Sequence, residues 1–66
     1  MQVVETSRLG DLKPGTLFRF SDKKTIYRII AAGSLYVQYE NPKRENSIWE
    51  IGYDQKKFNQ LVEVVK

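Results

Sequence analysis

Aromatic and basic side chains alternate through the middle of this 66-residue sequence. Phe18-Arg19-Phe20, Tyr27-Arg28, Tyr36-x-x-Tyr39 and Trp49 fall in short apolar runs, and Lys23, Lys24, Lys43 and Arg44 fall in the polar stretches between them. An exposed ring beside a cation offers a stacking surface for a base, while the cation reaches a phosphate. Trp49, Tyr36, Arg28, Arg44, Lys43 and Arg19 are therefore the candidate ligand-binding residues. A core this small does not enclose all eight aromatics together with its isoleucines and valines, so some rings stay partly exposed. With Leu35, Val37 and Tyr39 inward, Tyr36 and Gln38 point outward; with Ile48 inward, Trp49 and Ile51 face the other side. The same residues admit a plainer placement, in which Trp49, Tyr27 and Tyr39 complete a core or its rim. Glu40, Glu45 and Glu50 interrupt the basic residues, so no uniform stripe suited to duplex DNA is present. Lys43-Arg44 and Lys56-Lys57 also read as solubilising charge pairs.

Catalysis is not expected. The chain has neither cysteine nor histidine, which removes the usual nucleophile–base pairings and the commonest metal ligands. Ser7, Ser21, Ser34 and Ser47 sit at turns or strand starts, where a hydroxyl closes the backbone. Asp11, Asp22 and Asp54 occupy three separate turns, and no calcium-loop pattern joins them. Gly10 and Gly15 flank a stretch resembling a phosphate nest, but Pro14 removes a donor and a plain turn accounts for the spacing. No metal or cofactor is expected.

These candidates need strands to carry them. Met1 to Thr6 is β-branched, and Gly10 to Gly15 reads as a turn in which Pro14 sets φ and Gly15 takes the positive φ of a type II geometry. Thr16 to Phe20, Thr25 to Ala32, Leu35 to Glu40 and Ser47 to Tyr53 alternate as half-buried strands do. Gly33-Ser34 reads as a type II′ hairpin turn, and Asn41 to Asn46 as a longer hairpin tip. Phe58, Leu61, Val62 and Val65 fit a helical period, yet the valines alternate with Glu63. A single helical turn of 3₁₀ type over Asp54 to Asn59, then a strand over Gln60 to Val65, satisfies both patterns.

Six short strands in one open sheet would leave edges unpaired, and closure into a barrel removes them. The expected fold is thus all-β, a single domain over residues 1–66, a small barrel of five to six strands with one 3₁₀ turn before the last. That arrangement resembles SH3-like barrels, although the acidic loop and Trp-Trp pair of signalling SH3 domains are missing. The run from Leu9 to Phe20, with Ile26-Tyr27-Arg28-Ile29-Ile30 after it, also resembles the L-K-P-G-T-x-F-R-F opening of small uncharacterised phage-encoded proteins. That resemblance implies a phage setting and a role in blocking or diverting a host system.

The expected function is non-catalytic binding of nucleic acid or a phosphate-bearing nucleotide on the aromatic and basic strand face. The alternative is a protein-binding inhibitor or adaptor of a host protein, acting through the same face or a strand edge. The valine-rich segments Met1 to Glu5 and Gln60 to Lys66 are candidates for strand exchange into a homo-oligomer, or else they pair with each other. A formal net charge of +3 permits a polyanionic partner without requiring one. No apolar run is long enough for a membrane helix, and the opening residues are not a signal peptide, so a cytoplasmic location without a membrane partner is expected.

Overall fold

The alternating runs become six antiparallel strands in a computed structural model that describes residues 3–65. They are β1 (Val3–Arg8), β2 (Leu17–Arg19), β3 (Tyr27–Ala32), β4 (Tyr36–Glu40), β5 (Ile48–Gly52) and β6 (Leu61–Val65). A first 3₁₀ turn, Leu9–Asp11, follows β1, and a second, Lys56–Asn59, precedes β6. The expected turn before the last strand is thus present. The expected opening at Met1 lies outside the described residues.

The strands form one sheet in the order β1-β6-β2-β3-β4-β5. The terminal segments do pair with each other: Val3 lies opposite Val65 and Arg8 opposite Leu61. This places β6 inside the sheet, between β1 and β2, so it is not a free edge for exchange. The pairing does not close a barrel, however. β1 and β5 remain the two edges of an open sheet, which corrects the SH3-like expectation. Closure would have removed those edges and enclosed the core. Here the 3₁₀ turns contribute cover, because Leu9, Leu12 and Phe58 join the buried cluster formed by Phe18, Phe20, Ile29, Val37, Tyr39, Ile51, Val62 and Val64.

Local chemistry explains the joints. Gly10 meets Phe58 so closely that a Cβ at position 10 would overlap the ring, which locks the two 3₁₀ turns together. Gly15 has φ 91° and Thr16 N–H donates to the Lys13 carbonyl at 3.1 Å, as a Pro-Gly type II turn requires. The expected II′ turn at Gly33 is absent: Gly33 does not have positive φ, and its N–H donates to the Tyr36 carbonyl across a turn centred on Ser34 and Leu35. A bulge in β3 between Ile29 and Ala31 lets both Ile29 and Ala32 pack on the inner side, which strict alternation forbids.

Candidate functional site

Register divides the predicted binding residues between two faces. Trp49 lies opposite Tyr39 in the β4–β5 ladder, and their rings stack at 5.4 Å with 23° between planes. Tyr27 meets the indole edge-on at 5.6 Å. Trp49 therefore extends the inner aromatic cluster of Phe18, Phe20, Tyr27 and Tyr39 to its rim, where 42% of the residue stays exposed. Burial pushes the Tyr39 hydroxyl pKa up, with the neighbouring Tyr27 adding to the rise. Lys57 sits over the Phe20 ring at 5.5 Å on the same cluster.

Arg19, Arg28 and Tyr36 point to the opposite, outer face. Arg28 lies across from Glu40 on β4 and from Leu17 on β2, and Arg19 across from Glu63 on β6. These cross-strand neighbours are ion pairs. Arg19 Nε donates to Glu63 Oε1 at 2.6 Å, and Arg28 Nε donates to Glu40 Oε2 at 3.0 Å, with Arg28 Nη2 on the same oxygen. Tyr36 shares the face but sits at the far end of β4 opposite Gly52, about 13 Å along the strand from Glu40.

Lys43 and Arg44 are held above that face by the β4–β5 loop. Asn41 organises the loop: its N–H donates to the Ser47 carbonyl, its carbonyl accepts from Arg44 N–H, and its Oδ1 accepts from Lys43 N–H, each at 3.0 Å. Asn46 completes the reversal with φ 60°, a conformation asparagine tolerates. On the other side, the Phe20 carbonyl accepts from Lys23 N–H at 3.0 Å in the turn that carries Lys24.

Between these loops lies an open groove of about 980 Å³. Its apolar lining is Leu17, Ile26 and Pro42, and its charged lining is Arg19, Lys24, Arg28, Lys43 and Arg44. Five of its ten lining residues are cations and none is a carboxylate. Glu63 and Glu40 partly offset Arg19 and Arg28 from outside the lining, whereas no ion pair among the described residues engages Lys24, Lys43 or Arg44. A second recess of about 270 Å³ shares Arg28 and the loop but includes Glu40 and Glu45, which makes it less suited to an anion.

The structure thus gathers four predicted residues, Arg28, Arg44, Lys43 and Arg19, around one groove and leaves Trp49 and Tyr36 outside it. Lys24 was missed as a site residue, although its place in the turn between two aromatic strands was a usable signal. Glu50, opposite Gln38 in the β4–β5 ladder, accepts from Gln38 Nε2 at 2.8 Å. Asp11 is bonded to Arg8 at 2.9 and 3.0 Å, and this contact holds its carboxyl below the usual carboxylate range.

No protein-family model, curated protein or solved structure matches the chain. The phage resemblance of Leu9 to Phe20 is corrected accordingly. Its residues serve local folding here, with Leu12, Phe18 and Phe20 in the core and Pro14-Gly15 in a turn. Among the described residues, no helix is long and apolar enough to cross a membrane.

Proposed function

We propose that this protein binds a phosphate-bearing ligand, foremost a single-stranded nucleic acid, in the outer-face groove and performs no chemistry on it. The observation that carries this reading is the lining itself: five cations, no carboxylate, and an apolar strip of Leu17, Ile26 and Pro42 between them. The cations on the two flanking loops reach phosphates from both sides, and the apolar strip accepts a sugar edge or a base face. The groove has no aromatic lining, so affinity comes chiefly from charge and sequence preference is weak. A cytoplasmic setting is part of this reading.

The test is fluorescence anisotropy of a labelled single-stranded oligonucleotide over a salt series. If Lys24, Lys43 and Arg44 each displace one counterion, log affinity falls against log salt with a slope of about −2. The double substitution Lys43→Ala/Arg44→Ala should flatten that slope and leave the thermal midpoint unchanged, since both residues are exposed loop positions. Binding that ignores both salt and this substitution would sink the proposal. Because Trp49 faces the other way, its emission should stay constant as the groove fills.

A further inference from the structure

The β5 edge contributes no residue to the groove and stands apart from it. An antiparallel ladder alternates residues that exchange hydrogen bonds with residues that turn their N–H and C=O away. Asn41 N–H donates to Ser47 at 3.0 Å and Tyr53 N–H to Leu35 at 2.9 Å, at either end of the β4–β5 pairing. This parity commits Ser47, Trp49, Ile51 and Tyr53 to β4, while Ile48, Glu50 and Gly52 present their backbone to the open edge.

Gly52 is already occupied. Its N–H donates to Gln55 Oε1 at 2.6 Å, and its carbonyl accepts from Gln55 N–H at 3.0 Å. Among the described residues, Ile48 and Glu50 alone in β5 therefore carry outward backbone groups without a partner. The residue between them is Trp49, whose indole is covered by Tyr39 on one face. Ile48 is 57% exposed and Tyr53 60%, so apolar surface flanks the free backbone. The opposite edge is defended: β1 has a bulge between Val3 and Glu5, and its Arg8 guanidinium is held by Asp11 and Asn59.

We propose that β5 pairs antiparallel with β5 of a second copy about a two-fold axis at Trp49. The register is self-selecting. Placing Ile48 opposite the partner's Glu50 satisfies every free N–H and C=O on both copies and brings the two indoles together. Shifting the axis to Glu50 sets carboxylate against carboxylate and pairs Ile48 with the occupied Gly52. Shifting it to Ile48 sets Glu50 against Asn46, whose φ of 60° is not extended. The occupant is thus a second copy of this chain, chosen by a pattern that is complementary to itself.

Sedimentation equilibrium of the intact chain over a concentration series should show a rise from 7.7 kDa towards twice that mass. Ile48→Pro removes an outward donor without touching the β4 ladder, so it should remain folded by circular dichroism and stay at the single-chain mass. A chain at the single-chain mass up to its solubility limit, or a folded Ile48→Pro protein that still dimerises, would overturn the proposal. The chain has no cysteine, which permits a register test that does not depend on that variant. A mixture of Ile48→Cys and Glu50→Cys proteins should form the mixed disulfide faster than either protein forms its own. Faster self-linking of Glu50→Cys would refute the axis at Trp49.

Discussion

The two faces of this sheet are built from the same strands and do different work. The inner face carries Phe18, Ile29, Val37, Tyr39 and Val62 into one buried cluster. One residue along each strand, the outer face carries Arg19, Arg28, Glu40 and Glu63 in cross-strand ion pairs beside a cationic groove. The inner face gains stability from burial, at roughly 25 cal/mol for each Å² of apolar surface removed from water. The outer pairs contribute little by comparison, about 0–1 kcal/mol each when solvent reaches them. A sheet divided this way can vary its outer surface with little consequence for folding.

That division can be broken most forcefully from the inside. Phe18 is fully buried with Phe20, Tyr27 and Tyr39 rings at 5.4–5.7 Å, and Phe18→Ala should cost about 3–5 kcal/mol. Total stability for a chain of this size is of the order of 3–10 kcal/mol, so this loss is a large share of it and urea denaturation should show a strongly lowered midpoint. A midpoint near wild type would contradict this packing.

A smaller effect is expected where the core cover is joined. Gly10→Ala pushes a methyl group into the Phe58 ring and should cost about 1–3 kcal/mol, measured by the same denaturation. Oligonucleotide affinity should persist in the fraction that stays folded, because the groove shares no residue with this joint.

The finest separation of the faces is by alkaline titration. The folded Tyr39 pKa lies above its ordinary value of 10.0, so the folded chain holds that proton more tightly than the unfolded one. Its contribution is complete below pH 10.0 and is lost as pH rises through the folded value. Tyr39→Phe should flatten the decline of stability with pH above that point, read by urea denaturation over a pH series.

Much of this architecture is legible in the residues because its causes are local. Pro14-Gly15 declares its turn, Val62-Glu63-Val64 declares a strand after the Lys56–Asn59 turn, and Asn41 declares the loop that holds Lys43 and Arg44. What escapes is set by partners distant in the chain. Alternation shows that Trp49 and Ile48 face opposite sides, but only the β4 register puts Trp49 on Tyr39 and turns Ile48 outward. The bulge at Ile30 resets the alternation of β3 without a glycine to announce it. Barrel closure fails as an expectation because the sheet keeps β1 and β5 as edges, while Leu9 and the turn residues Leu12 and Phe58 cover its core. The groove follows the same logic: Lys24 joins it only because two loops far apart in sequence converge.

The pairing of β1 with β6 has a kinetic consequence. β6 supplies Val62 and Val64 to the core from an inner position of the sheet, yet it lies at the far end of the described chain from its neighbour β1. Residues 3–60 can form the β2-β3-β4-β5 meander by local steps, but β1 has nothing to pair with until residues 61–65 arrive. Such distant closure slows folding, towards the millisecond-to-second range of proteins dominated by non-local strand pairs. During synthesis β1 therefore waits unpaired until β6 has left the ribosome, and the sheet is completed in one late event.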